Sequence, residues 1–271
     1  MKMKKGICLL WLSFALVCAA DIPQSVMLEA GNVRVRLDGK KRWNINRIEF
    51  QNEQLGTDMP NAHYGMTCRP HDFKYAVGSG HEETGYGEEV VSVIFYADGS
   101  EVQPKQGIVI RGKKLQVVKV SNILSLKVKY TIRIENDILY EHIEAVSDKD
   151  MKLHHLYFFM HPWSPRITNL NICAAKDTIK SVAFKSDHKF VQRSFVETAA
   201  FFDANAGIGA ITTYRNIKGG KKLMRFIWDR PQYRKDYLCD YFKSDLPGGH
   251  VIAYEAETSF YRVNSKKAES K

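Results

Sequence analysis

An imidazole titrates near neutrality, so histidine takes or gives protons where Leu or Val cannot. Three histidines fall within Leu153-His154-His155-Leu156-Tyr157-Phe158-Phe159-Met160-His161-Pro162-Trp163, a stretch otherwise apolar enough to read as a buried strand. Such rings serve either as satisfied core histidines or as the floor of an active site. Alternate residues of a strand share a face. His155, Tyr157, Phe159 and His161 are therefore expected on one side, and His154, Leu156, Phe158 and Met160 on the other. The first set suits an open polar and aromatic surface. The second suits a core, with His154 as a core or supporting ring. Trp163, at the strand end after Pro162, is the best candidate stacking platform beside Trp43 and Trp228, although core packing is the commoner use of tryptophan.

Two other segments concentrate chemistry. Gly56 to Gly87 is irregular and rich in Gly and Pro, and it holds His63, Tyr64, Arg69, His71, His81, Glu82, Glu83 and Tyr86. Long irregular segments are uncommon in compact domains and are often functional. His81, with His71 as its competitor, is the candidate second histidine of an acid–base pair. Trp228-Asp229-Arg230-Pro231-Gln232-Tyr233-Arg234-Lys235-Asp236-Tyr237 offers cations to neutralise an anion and Tyr233 to move a proton. An exposed loop has the same contents, and that plainer reading stands beside the functional one. No closed metal-ligand spacing, serine-nucleophile elbow, phosphate loop or dinucleotide fingerprint is present. Neither a metal nor a cofactor is expected.

The elements that must position these residues are strands. Leu126, Val128, Tyr130, Ile132 and Ile134 alternate with Lys127, Lys129, Thr131 and Arg133, the period of a half-buried strand. Glu135-Asn136-Asp137 then turns the chain, and Ile138 to Val146 reads as the hairpin partner. Similar runs are Val33 to Leu37, Val90 to Ala97, Leu115 to Val120, Thr178 to Phe184, Gly207 to Tyr214, Leu223 to Trp228 and His250 to Arg262. No long helical period appears. Many short strands with turns between them predict an all-β sandwich or barrel.

Residues 1–20 read as an export signal: Lys2, Lys4 and Lys5, an apolar run from Ile7 to Val17, and small residues at Cys18-Ala19-Ala20. The apolar run is short for a membrane span. The expected product is an exported protein, periplasmic or extracellular, with one domain over 21–264 and a polar tail over 265–271. Losing the three leader lysines takes the formal charge from +10 to +7. That balance favours anionic partners, but export and the absence of a binding motif argue against nucleic acid. Cys68, Cys173 and Cys239 remain after the leader. Their odd count and wide spacing are not a disulfide framework.

Leu28-Glu29-Ala30-Gly31-Asn32-Val33-Arg34-Val35, then Asp38-Gly39 and Ile45 to Leu55, resembles the opening hairpin of galactose mutarotase-like proteins. His155-Leu156-Tyr157-Phe158 resembles the H-x-Y-F strand of aldose 1-epimerases. Leu246-Pro247-Gly248-Gly249 and the strand ending at Phe260-Tyr261 resemble the Pro-Gly turn and last strand of that superfamily. The resemblance implies a β-supersandwich: two large, mainly antiparallel sheets with a sugar-binding concavity. By it, His155 helps polarise or protonate a sugar ring oxygen. Epimerases place a general-base glutamate before the Pro-Gly turn. Here the nearest candidate is the shorter Asp229, in a motif that does not match. Fold alone does not fix the reaction. The expectation is an exported carbohydrate-active protein with His81, His155 and Tyr233 as catalytic candidates. His71, Tyr157, His161, Trp163, Asp229, Arg230 and Lys235 are the substrate-binding candidates. The reaction would be eliminative cleavage of an acidic polysaccharide or sugar epimerisation. A carbohydrate-binding protein without turnover is the alternative.

Overall fold

The period of two that runs through the sequence becomes strand over most of the described chain. The computed structural model describes residues 23–81, 85–173, 179–242 and 245–263. The 1–20 leader, Glu82, Glu83 and the 265–271 tail lie outside them.

In chain order the strands begin with β1 (Ser25–Ala30), β2 (Val33–Asp38), β3 (Asn44–Phe50), β4 (Glu53–Gly56), β5 (Thr67–Pro70), β6 (Val77–Gly78) and β7 (Glu88–Ala97). They continue with β8 (Ser100–Val102), β9 (Val109–Arg111), β10 (Lys114–Ile123), β11 (Leu126–Glu135), β12 (Ile138–Ser147), β13 (Leu153–Trp163) and β14 (Asn169–Cys173). The last are β15 (Ile179–Ala183), β16 (Phe190–Gln192), β17 (Thr198–Asp203), β18 (Ile208–Lys218), β19 (Lys222–Asp229), β20 (Arg234–Tyr241) and β21 (Val251–Arg262).

They form two sheets. The larger follows the order β16-β19-β20-β13-β4-β3-β2-β1-β9, with β5 pairing β13 and β6 pairing β5. The other follows β15-β14-β17-β18-β21-β12-β11-β10-β7-β8. Most pairs are antiparallel, although β1 and β9 run parallel. The all-β sandwich expected from the sequence is therefore present.

The β11–β12 hairpin shows how local sequence sets this architecture. Register runs from Leu126↔Ser147 to Glu135↔Ile138. Asn136 and Asp137 both have positive φ, 53° and 59°, the pair that a two-residue hairpin turn of matching twist requires. Leu126, Val128, Tyr130, Ile132 and Ile134 are buried between the sheets.

The core also contains a chain of ionisable groups. Arg225 of β19 grips Asp236 of β20 through Nε (2.9 Å) and Nη2 (2.6 Å). The Tyr214 hydroxyl lies 3.0 Å from Asp236 Oδ2 and 3.3 Å from His161 Nδ1. His161 Nε2 meets Glu141 Oε2 at 2.5 Å, and Tyr130 donates to the other Glu141 oxygen. None of these side chains is more than 2% exposed. Buried charges persist where each is paired and hydrogen-bonded. This chain joins the two sheets, since Tyr130, Glu141 and Tyr214 come from one and His161, Arg225 and Asp236 from the other.

Candidate functional site

β13 lies inside the larger sheet, flanked by β20 on one side and by β5 and β4 on the other. Its register against β20 slips between Phe158 and His161, and Phe159 has φ of 48°. This is a β-bulge. Phe158 and Phe159 both enter the core, so the parity of the strand changes beyond them. His155 and Tyr157 face outward before the bulge. After it, Met160 faces outward and packs with Phe226, Tyr237 and Cys239. His161 therefore turns inward, against the parity expected from an unbroken strand.

β20 supplies the neighbouring outward positions. Lys235, Tyr237, Cys239 and Tyr241 alternate with inward Asp236, Leu238 and Asp240. The result is an aromatic floor on the outer side of the larger sheet, in which Tyr157, Phe190, Trp228 and Tyr241 are half-buried and His155, Phe226 and Tyr237 are buried among them. The rings of His155 and Tyr157 stack at 4.3 Å, and Tyr157 meets Tyr237 at 4.9 Å. Tyr237 meets Phe226 at 5.4 Å, Phe226 meets Phe190 at 5.7 Å, and Phe190 stacks on Trp228 at 5.2 Å. Tyr241 is the direct cross-strand partner of His155, and Arg69 of β5 is its partner on the other side.

Cations border this floor. The Lys235 ammonium lies 5.6 Å from the Tyr237 ring. The Arg230 guanidinium lies 4.5 Å from the Trp228 ring and 5.3 Å from that of Tyr233. Burial and the nearby Arg230 charge push Lys235 down to about 8. Burial, then the His154 and Arg69 neighbours, pushes His155 down to about 3. His155 is thus neutral at physiological pH. Its Nδ1 shares a hydrogen bond with His154 Nδ1 at 2.7 Å, so one of the two nitrogens carries the proton.

Several candidates from the sequence meet on this surface: His155, Tyr157, Arg230 and Lys235. His71 is at its rim, 5.6 Å from His154. His154 itself is half-buried there rather than in the core, because the β13–β5 pairing also slips between Leu153 and His155. His81 packs with His63, ring centroids 5.0 Å apart, whereas the ring neighbours of His155 are His154, Tyr157 and Tyr241. Burial pushes His63 down to about 4, with the His81 charge second. Among the described ring contacts none joins the two expected central histidines, and His63 also feels the Lys235 charge.

Other candidates are committed to the fold. His161 bonds Glu141 in the interior, and Trp163, fully buried, packs 5.3 Å from Phe201. Asp229 is buried, and its Oδ2 accepts from the backbone N–H groups of Lys185 (2.6 Å) and Ser186 (2.9 Å). Oδ1 meets Arg234 at 3.0 Å. It pins a loop and does not reach the open face. The Tyr233 hydroxyl donates to the Asn61 carbonyl at 3.1 Å. None of the outward positions of β13, β19 or β20 is Asp or Glu. Arg69 and Tyr237 fall within the two segments that concentrate chemistry but are not among the site candidates, and Tyr241 and Phe226 lie outside both segments. The alternation through Lys235, Tyr237, Cys239 and Tyr241 was a readable signal for two of them.

No protein-family model and no curated protein matches the sequence. Solved structures do match in fold. A GalM/aldose epimerase homologue from C. elegans superposes with a TM-score of 0.52 at 10% identity, over 89% of this chain and 98% of that one. A galactose mutarotase-like protein from Clostridium acetobutylicum gives 0.51 at 10% identity, over 88% and 95%. A GH36 alpha-galactosidase from Geobacillus stearothermophilus gives 0.54 at 9% identity, over 89% of this chain and 40% of that one. These likenesses show a shared fold, the two-sheet β architecture that the sequence resemblance implied.

Proposed function

We propose that this is an exported carbohydrate-binding protein whose site is the outer aromatic face of the larger sheet. One observation carries the reading: an unbroken run of rings from His155 through Tyr157, Tyr237 and Phe226 to Phe190 and Trp228, bordered by Arg69, Lys235 and Arg230. Ring faces and edges meet the C–H surfaces of pyranoses, while Tyr hydroxyls and cations reach sugar oxygens. The galactose mutarotase-like fold supports a sugar ligand. The leader read in the sequence supports export.

A second reading is an acid–base enzyme on the same surface. It is favoured by His155, a neutral imidazole beside His154 at one end of the floor, and by Lys235, pushed down to about 8. A base working near its own pKa is efficient. No carboxylate stands across β20 from His155; Tyr241 holds that position. Epimerisation, the option with which the aldose epimerase-like fold neighbours are consistent, would use His155 without a carboxylate at that position. Elimination from an acidic glycan would fall to Lys235 or His155 as base.

Two assays separate the readings. Binding without turnover is expected on neutral and acidic oligosaccharides. Absorbance from an unsaturated uronate product, abolished by His155→Ala or Lys235→Gln with binding retained, would replace the first reading with the second. Failure of the protein to bind any saccharide would refute both.

A further inference from the structure

The outer surface of the larger sheet is divided electrostatically. Over β1, β2 and β3 the outward arginines are neutralised. Arg34 meets Glu29 and Glu49, Arg36 meets Asp58, and Arg47 meets Glu49 at 2.6 Å. At the β16–β19–β20 end the pattern reverses. Arg193, Arg230 and Lys235 form no ion pair with Asp or Glu among the described residues; of the carboxylates of β19 and β20, Asp236 turns inward to Arg225, Asp229 to Arg234, and Asp240 to the Tyr254 hydroxyl and the backbone N–H groups of Lys221 and Lys222.

Aromatic rings hold these unneutralised cations in order. Arg193 lies 5.0 Å from the Phe190 ring, Phe190 stacks on Trp228, and Arg230 lies 4.5 Å from the Trp228 ring. Lys235 is the direct cross-strand partner of Trp228. A guanidinium laid on a ring keeps its N–H donors in the open plane for contact with an oxyanion; Arg230 gives one Nη1 donor to the Tyr233 hydroxyl at 3.3 Å and keeps its other terminal donors. Placing like charges side by side without a counter-charge opposes folding, and an anionic ligand relieves that repulsion.

We propose that Arg193, Arg230 and Lys235 form a strip of anion contacts, and that the carbohydrate taken by this face is an acidic chain rather than a neutral sugar. This rests on the reading of the face as a carbohydrate site. The strip lies at the Phe190–Trp228 end of the floor, on β20 and just past the ends of β16 and β19, and the rings continue from it toward His155, which suits several linked sugars. Carboxylate and sulfate share the required chemistry: a planar or tetrahedral oxyanion displayed at intervals along a chain.

The test is a titration of the full-length mature protein with three probes of equal length: a galacturonate hexamer, a sulfated carrageenan hexamer and a neutral galactan hexamer. At least one acidic probe is expected to bind about tenfold or more tighter than the neutral one, and raising salt from about 50 mM to about 500 mM should weaken it by a similar factor. The stronger acidic probe identifies the oxyanion. Arg230→Gln/Lys235→Gln should lose that preference. Lys113→Gln/Lys129→Gln, which removes two exposed charges on the other sheet, should keep it. Circular dichroism and a melting curve check that each variant is folded. Equal, salt-insensitive affinity for all three probes, lost in Tyr157→Ala, would overturn the strip and leave the carbohydrate site standing. No binding of any probe would overturn both.

Discussion

His155 and His161 share one strand, and the bulge at Phe159 sends them to opposite sides of the sheet. His155, only 4% exposed, stacks beneath the half-buried Tyr157 in the aromatic floor. His161 bonds Glu141 between the sheets at 2.5 Å. One strand thus serves an outer surface suited to a ligand and an inner chain of paired charges that ties the two sheets together.

The inner chain should dominate stability. Asp236 takes both Nε and Nη2 of Arg225, and neither residue is exposed. Asp236→Ala strands a buried guanidinium, and a loss of about 3–5 kcal/mol is expected. Urea unfolding measures it. A loss below about 1 kcal/mol would mean that water or another group reaches Arg225.

Tyr214 should hold the bulge. Its hydroxyl lies 3.2 Å from the Phe159 carbonyl, where the backbone takes its unfavourable positive φ. Tyr214→Phe should cost about 1–3 kcal/mol and shift the NMR resonances of Phe159 and its neighbours. Unchanged resonances would show that packing of Phe158 and Phe159 alone fixes the bulge.

Acid should destabilise the protein through its neutral histidines. In the fold His155 is held down to about 3 and His63 to about 4, against an ordinary value of 6.5. Between those limits the unfolded chain binds more protons than the native one. Their contribution is full above pH 6.5 and is lost as pH falls toward about 3. His155→Gln should flatten the stability curve over that range. An unchanged slope would place the titrating groups elsewhere.

Thiol labelling should be selective. Cys173 is exposed, whereas Cys68 and Cys239 are buried. Burial pushes the Cys68 thiol up to about 12 and raises that of Cys239 further still. A buried, protonated thiol is a poor nucleophile. In a chain lacking residues 1–20, which hold Cys8 and Cys18, one cysteine should react at neutral pH in the native protein and three after unfolding. Fast native labelling of Cys239 would mean that the aromatic floor opens.

The sheet architecture was legible because local alternation reports burial directly. The Leu126–Val146 hairpin was readable down to its Asn136-Asp137 turn. The placement of single site residues was less so. An unbroken period put His161 beside His155, and nothing within Phe158-Phe159-Met160 marks a bulge that depends on Tyr214, a residue far along the chain. Asp229 looked like a site carboxylate because its partners, the backbone N–H groups of Lys185 and Ser186, are set by tertiary folding. Lys235 and Arg230 were legible as a charged patch. That they lack counter-charges is visible only once Asp229 and Asp236 are seen to turn inward.

The most direct measurement of the central claim is calorimetric titration of wild-type protein and of Tyr157→Ala/Tyr241→Ala with neutral and acidic oligosaccharides. Carbohydrate recognition on this face requires saturable binding of at least one of them by the wild type, weakened about tenfold or more in the variant. Wild-type binding that survives the loss of both rings, or no binding at all, would contradict it.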